Sequence, residues 1–157
     1  MSKFRPVEGS FEVADARVAI VVSRWNNHIT DNLLKGALAA LERQGVADDN
    51  ISVFRVPGAF ELPLVTQKIA QSGKVEAVIS LGCVIRGDTP HFDYVCSECT
   101  RGIGRIALDT GLPIGFGLLT CDDLEQAQVR SADDRENKGE EAALTVLEMI
   151  SLLRQMS

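Results

Sequence analysis

The sequence lacks the features that mark membrane, secreted and nucleic-acid-binding proteins. No apolar stretch approaches the roughly 18 residues that a membrane-spanning helix needs, and the first residues, MSKFRPVEGSFEV, contain no apolar signal-peptide core. With 16 basic against 22 acidic residues, the net charge is −6, and the clustered basic surplus of a nucleic-acid surface is missing. We therefore expect a cytoplasmic protein with neither a membrane nor a nucleic-acid partner.

Cysteine is also scarce, with four residues in 157: Cys83, Cys96, Cys99 and Cys121. In a reducing compartment these residues are expected to be free thiols. Cys96 and Cys99 form a C-x-x-C pair, for which a redox pair or half of a zinc site is one interpretation. No second pair exists, and the spacing places Cys99 on the core side of a predicted helix. We therefore favour packing thiols and predict no metal site.

What the chain does contain is the composition of one globular domain. Apolar residues make up 45% of the chain and charged residues 24%, which suits a single core and excludes a disordered protein. No internal repeat or linker interrupts the sequence. We therefore predict one domain over residues 1–157, in which residues 1–13 form an extended amino-terminal arm.

Short apolar runs alternate with longer amphipathic segments along the chain. The runs at 16–23, 51–56, 75–83 and 113–120 predict strands, because continuous apolar residues suit strands that are buried on both faces. Helical spacing predicts helices at 30–44, 63–73, 92–106, 122–130 and 137–154. A strand–helix order repeated four times, with one extra helix, predicts an α/β fold: a four-stranded parallel sheet between two helical layers.

Particular residues indicate where these helices begin and end. Thr30 is a candidate N-cap of the first helix, and Gly45 a candidate for the position just beyond its end. Asp122 and Glu125 have the spacing of a capping box for the fourth helix.

Ligands of parallel sheets bind at the carboxyl ends of the strands. That rule selects the loops at 24–28, 57–61, 84–91 and from 120 onward. The third loop, IRGDTPH, leads into a helix, whose N-terminal amides attract anions, and Thr89 adds a hydroxyl donor. His91 beside it can transfer protons near neutral pH. A capped, solvated loop is the simpler alternative, but the pattern favours a small phosphorylated substrate.

Three further residues have both a functional and a structural interpretation. Trp25, the only tryptophan, follows the first strand and could stack on a flat ring or lie at the edge of the core. Arg130 and Lys138 could hold a phosphate, although cations near helix ends are common on any surface. His28 is interpreted as a solvated residue. The glycine pairs GIG and GFG lack the third glycine and the setting of a dinucleotide site.

The segments SRWN, VPGAFELP, GCVIRGDTPHFDYV, GFGLLT and NKGEEAAL together resemble the lumazine synthase family, from about Ala16 to the last helix. The resemblance implies a flavodoxin-like three-layer α/β/α sandwich. It implies condensation of 5-amino-6-(D-ribitylamino)uracil with 3,4-dihydroxy-2-butanone 4-phosphate, which yields 6,7-dimethyl-8-ribityllumazine, phosphate and water. No metal or cofactor is implied, because the substrate's own amine forms the imine.

The resemblance also implies roles for individual residues. His91 would transfer protons, Arg130 would bind the phosphate and stabilise its departure, and Lys138 would belong to the supporting polar shell. Substrate-binding residues are implied at Trp25, Ala59, Phe60, Glu61, Cys83, Val84, Ile85, Asp88, Thr89, Phe116, Arg130 and Glu141. Of these, Phe116 would close the pocket from a neighbouring subunit. Asp88 stands where the family has a small residue, so its backbone is the more suitable phosphate contact.

The family forms pentamers, and in some members twelve pentamers form an icosahedral shell of sixty subunits. The segment between Arg130 and Lys138 carries no insertion, which favours a shell, while Pro6 and the acidic stretch at 132–136 leave both assemblies open. A non-catalytic flavin- or lumazine-binding module and a structural shell protein are the alternatives to an enzyme. Neither alternative would need His91 or Arg130.

Overall fold

A four-stranded parallel sheet forms the centre of the protein. The computed structural model describes residues 3–157. Its strands are β1 (Val18–Ser23), β2 (Ile51–Val56), β3 (Ala77–Ile85) and β4 (Ile114–Cys121). They lie in the order β2-β1-β3-β4, and every neighbouring pair is parallel. β2 and β4 are therefore the two edges of the sheet, and the predicted four-stranded parallel sheet is confirmed.

Five α-helices cover the two faces of the sheet. They are α1 (Asn27–Arg43), α2 (Leu62–Ala70), α3 (His91–Thr110), α4 (Leu124–Arg130) and α5 (Lys138–Met156). Short 3₁₀ turns occupy Asp48–Asn50 and Ala59–Glu61. Apolar residues of α1, α4 and α5 pack together on one face of the sheet, and those of α2 and α3 pack on the other. This arrangement confirms the three-layer α/β/α fold.

The alternation of side chains along β1 explains why its sequence is apolar throughout. Val18, Ile20 and Val22 belong to the core under α1 and α5, whereas Val21 belongs to the core under α2 and α3. All six residues of β1 are buried. Successive side chains of a strand point to opposite faces, so a central strand between two helical layers needs apolar residues at every position.

The first helix begins earlier than the sequence predicts. α1 starts at Asn27, and its N-cap is Asn26, in the left-handed conformation with φ 61°. Thr30 lies inside the helix and is buried, so its prediction as the N-cap is wrong. The predicted end is confirmed, because Gly45 follows the C-cap with φ 86°, a conformation that glycine adopts without strain.

The fourth helix has its cap one residue later than predicted. Asp123, not Asp122, is the N-cap, and its carboxylate accepts a hydrogen bond from the Gln126 amide at 2.9 Å. Gln126 Oε1 in turn accepts from the Asp122 amide at 2.7 Å. Gln126 therefore takes the place predicted for Glu125, but its side chain accepts from the amide before the N-cap, whereas a capping box uses the N-cap amide itself.

The amino-terminal segment lies along α5. The Ser10 amide donates to Ser151 Oγ at 3.0 Å, and Gln155 Nε2 donates to the Glu8 carbonyl at 2.9 Å. A Cβ at Gly9 would collide with the Glu148 carbonyl, so glycine permits this close approach. Within the described residues the arm has no regular secondary structure up to residue 13, and the first two residues of the predicted arm lie outside them.

Over residues 3–157, no helix combines the length and the apolar character that crossing a membrane requires.

Candidate active site

A cavity of about 700 Å³ opens at the carboxyl ends of β1 and β3. We call it the main cavity. It brings together residues from the loops after β1 and β2, the end of β3 and the first turns of α3. The residues that line it are Trp25, Asn26, Ala59, Phe60, Glu61, Cys83, Val84, Ile85, His91, Tyr94, Val95, Ser97 and Glu98. Three of the four predicted loops therefore meet at one site, and the loop from residue 120 onward does not line it.

Trp25 presents a large flat surface to the main cavity. Its side chain is 60% exposed, and its amide donates to the Pro57 carbonyl at 2.9 Å. Any side chain on Gly58 would collide with the indole ring, so the ring packs directly on the backbone of that glycine. One face of the indole is thus supported by the loop after β2, and the exposed surface remains for a ligand ring.

Asn26 is a cavity residue that the sequence reasoning did not single out. Its Nδ2 donates to the Cys83 carbonyl at 3.0 Å, which ties the loop after β1 to β3. The left-handed backbone at Asn26 makes this contact possible, and asparagine tolerates that conformation better than most residues. The bond holds Trp25 at the rim and occupies one lone pair of a carbonyl that was predicted to contact substrate.

His91 opens α3 beside a loop with free amides. Its own amide donates to Thr89 Oγ1 at 3.4 Å, which leaves the Thr89 hydroxyl proton available. The amides of Gly87, Asp88 and Thr89 donate no hydrogen bond to any residue from 3 to 157. Asp88 and Thr89 are exposed and adjoin the main cavity without lining it. An anion beside His91 would therefore meet unpaired donors at a helix N-terminus.

One stripe of α3 extends the main cavity beyond His91. Tyr94, Val95 and Glu98 follow His91 by three, four and seven residues, a spacing that places them on one helical face. Sequence reasoning used this helix only for its core residues. The same periodicity, started from His91, would have found this second face.

A second cavity, of about 270 Å³, lies at the free edge of β4. We call it the β4-edge cavity. Its lining residues are Phe116, Leu118, Leu119, Thr120, Cys121, Arg130, Lys138 and Glu141. Phe116, Arg130, Lys138 and Glu141 were all predicted site residues, yet none of them lines the main cavity. The structure therefore divides the predicted site into two groups.

The cations of the β4-edge cavity differ in their partners. Arg130 ends α4 and donates through Nη1 to the Gln126 carbonyl at 2.9 Å. Within residues 3–157 it forms no ion pair, so its charge is not neutralised by a carboxylate. Lys138 Nζ is paired with Glu141 Oε2 at 2.9 Å. Arg130 is thus the cation better prepared to accept an anionic ligand.

Asn137 fixes the backbone between these two cations. Its side chain is buried, with the residue 2% exposed. Oδ1 accepts two hydrogen bonds and Nδ2 donates three, all between 2.8 and 3.2 Å. The partners are the amides of Gly139 and Glu140 and the carbonyls of Asn32, Ser131 and Ala132. One side chain therefore joins the end of α4, the start of α5 and α1.

The thiols near the main cavity are poor nucleophiles. Burial, reinforced by the neighbouring Cys121 and Cys96 thiols, raises the pKa of Cys83 to about 12. Burial likewise raises the pKa of Cys99 to about 12 and, to a smaller extent, the pKa of Cys96. Redox C-x-x-C pairs have the opposite property, a lowered pKa. This supports the packing interpretation, and in the described chain no three His, Cys, Asp or Glu side chains gather as metal ligands.

His28 lies on the exposed surface of α1 and lines neither cavity. His91 is therefore the histidine of the site.

Comparison with known protein families gives a match that spans the whole fold. The model of the family described as 6,7-dimethyl-8-ribityllumazine synthase matches residues 15–154, from just before β1 to the last turn of α5.

Proposed function

The chain belongs to the 6,7-dimethyl-8-ribityllumazine synthase family, and we propose that its active site combines the main cavity of one copy with the β4-edge cavity of a neighbouring copy. The enzyme is a transferase of riboflavin biosynthesis that condenses 5-amino-6-(D-ribitylamino)uracil with 3,4-dihydroxy-2-butanone 4-phosphate. The observation that carries the proposal is the division of the predicted site residues between two separate cavities.

The main cavity provides the binding surface for the pyrimidine. The exposed indole of Trp25 offers a face for the ring, and the backbone at the end of β3, at Val84 and Ile85, offers polar groups to its edge. Glu61, in the turn beside Ala59 and Phe60, provides a carboxylate that accepts from ribityl hydroxyls.

The phosphorylated ketone occupies the junction between the two cavities. Its phosphate meets the free amides of Asp88 and Thr89 and the Thr89 hydroxyl from one copy. Arg130 of the neighbouring copy supplies the charge-assisted contact. The Asp88 carboxylate is exposed and can point into solvent, so the contact there is through backbone.

The reaction then follows from these positions. The pyrimidine amine attacks the ketone carbonyl, and loss of water gives an imine. His91 takes and returns the protons of this step and of the elimination that expels phosphate. Arg130 stabilises the charge that develops on the departing phosphate, while Lys138 and Glu141 hold the polar wall around it. Phe116, exposed on β4, closes the apolar side of the pocket.

The distribution of exposed apolar residues supports the burial of several surfaces in an assembly of copies. Val53 and Phe54 are exposed on the edge strand β2, Phe60 at the main cavity, Leu64 on α2, and Phe116 on the opposite edge strand. Edge strands and apolar patches of this kind are normally covered by another surface. A pentamer is the smallest family assembly that would cover them, and a shell of sixty copies is the larger alternative. For the location of the enzyme we propose the cytoplasm, in keeping with its four free thiols.

The single tryptophan provides a direct test of this assignment. Because Trp25 lines the main cavity, the pyrimidine should quench the protein's tryptophan fluorescence before the second substrate is added. Addition of the phosphorylated ketone, with a chelator present, should then produce lumazine absorbance and inorganic phosphate in equal amounts. Pyrimidine binding with no product from an assembled enzyme would contradict the proposed roles.

Dilution of the enzyme tests whether the active site needs two copies of the chain. A composite site predicts that the specific activity falls as the assembly dissociates, and light scattering on the same samples reports the assembly state. A fully active 17.0 kDa monomer would refute the composite site.

A further inference from the structure

The Arg86 side chain contacts two segments next to the cavities, the first turn of α3 and the residue that follows β4. Its Nε donates to Asp122 Oδ1 at 3.0 Å and its Nη1 to Asp93 Oδ1 at 3.3 Å. Its guanidinium carbon lies 4.4 Å from the centroid of the Phe92 ring. The Arg86 amide also donates to the Cys121 carbonyl at 2.9 Å. Arg86 follows the last residue of β3 and lines neither cavity.

Two of these contacts lead to the proton-transfer residue. Phe92 and Asp93 directly follow His91 in the first turn of α3. Phe92 is buried, so the guanidinium lies over a ring that is largely shielded from solvent. The stacked ring and the Asp93 ion pair therefore fix the first turn of α3 relative to the end of β3.

The remaining contact leads toward the phosphate-binding residue. Asp122 precedes α4, and its amide donates to Gln126 Oε1 at 2.7 Å. The Gln126 carbonyl accepts from Arg130 Nη1 at 2.9 Å. Three hydrogen bonds, linked through the residues Asp122 and Gln126, thus connect Arg86 with Arg130.

Charge gives a second reason for the arrangement. Without Arg86, the carboxylates of Asp93 and Asp122 would add unpaired negative charge next to the loop proposed to bind a phosphate. The Arg86 side chain is 46% exposed, and such exposed ion pairs contribute little to folding stability. The contacts are therefore better explained by the geometry of the site than by the stability of the fold.

We propose that Arg86 is a positioning residue for the condensation, because it holds the turn with His91, which serves one active site, and the segment that leads to Arg130, which serves the site shared with another copy. This inference rests on the roles proposed above for His91 and Arg130. A planar guanidinium can stack on Phe92 and donate in two directions at once, which an ammonium group cannot do.

The test compares Arg86→Ala and Arg86→Lys with Arg105→Ala as the matched control. Arg105 is also an exposed arginine in an ion pair, with Asp109 on α3, and it contacts neither cavity. We expect Arg86→Ala to lower kcat about 10- to 100-fold, to raise KM for the phosphorylated ketone several-fold and to change the pH–rate profile. Arg86→Lys should recover only part of the rate, and Arg105→Ala should match the wild type.

Two milder variants each remove one of the two ion pairs of Arg86, and they remain informative if Arg86→Ala fails to fold. Asp93→Asn should mainly lower kcat, because it releases the turn with His91. Asp122→Asn should mainly raise KM for the ketone, because it releases the segment with Arg130. Pyrimidine binding, followed by Trp25 fluorescence, should be nearly unchanged in both.

Specific outcomes would overturn the proposal. One is an assembled Arg86→Ala enzyme with kcat/KM within about twofold of the wild type. Another is a fall in activity that is proportional to the fall in the amount of folded protein, with an unchanged pH–rate profile, because that result indicates a structural role. If the wild type itself makes no lumazine, the proposed function fails instead, so the two failures are distinguishable.

Discussion

Replacement of Asn137 should test how the β4-edge cavity is held together. Asn137→Ala removes the N-cap of α5, which typically costs about 1 kcal/mol. It also removes the side-chain amide of Asn137, whose two N–H protons serve three carbonyl oxygens, so at least one proton is shared between two acceptors. Loss of these buried donors adds about 1–2 kcal/mol. We therefore expect the free energy of unfolding to fall by roughly 2–3 kcal/mol, or Tm by roughly 4–12 °C.

The assay is chemical and thermal denaturation at one fixed protein concentration, because assembly contributes to apparent stability. Asn137→Ser is the control, since its hydroxyl can still cap α5 while the amide donors are lost, and its stability should be intermediate. At temperatures where both variants are folded, KM for the phosphorylated ketone should rise, because Arg130 and Lys138 flank the altered residue. The reasoning would be refuted if Asn137→Ala lowered the free energy of unfolding by less than about 0.5 kcal/mol, or if Asn137→Ser were no more stable than Asn137→Ala.

The remaining predictions concern the reaction and the thiols. Arg130→Ala should raise KM for the ketone and lower kcat about 30- to 1,000-fold, with pyrimidine binding unchanged. His91→Ala should chiefly lower kcat and flatten the pH–rate profile. His28→Ala is the control, and a loss of rate in this variant and not in His91→Ala would show that the site had been assigned to the wrong loop. Burial raises the pKa of Cys99 from 9.0 to about 12, so the unfolded chain loses this proton first, and the stability that the thiol contributes is intact below pH 9.0. Above that pH the free energy of unfolding should fall by about 1.4 kcal/mol per pH unit for this thiol. Denaturation at several alkaline pH values should therefore give a smaller slope for Cys99→Ala, and equal slopes would contradict the assignment.

The fold could be predicted from the sequence because its strongest signals come from the core. The continuous apolar residues of β1 reflect burial on both faces, and the spacing along α5 reflects a single buried stripe at Ala143, Val146, Leu147 and Ile150. The start of α1 could not be predicted, since the hydrogen bond from Asn26 to the Cys83 carbonyl connects residues far apart in sequence. At that position a tertiary contact outweighed the local capping preference of Thr30.

The candidate site was partly predictable for a similar reason. Trp25, Glu61 and His91 follow strands in the sequence, and the carboxyl ends of parallel strands meet at one edge, so their proximity could be foreseen. The separation of Arg130 from His91 could not, because it depends on β4 being the outermost strand. Strand order is set by tertiary packing, and no local pattern in the sequence encodes it.

The composite active site can be tested by mixing two inactive variants. His91→Ala damages only the main cavity, and Arg130→Ala damages only the β4-edge cavity. If each site takes one cavity from each of two neighbours, an equal mixture co-assembled from both chains has both cavities intact at about one quarter of its interfaces. We predict that this mixture recovers about one quarter of the wild-type activity, while each variant alone remains nearly inactive. A co-assembled mixture with no more activity than the average of the two variants would show that one chain supplies both residues and would contradict the account.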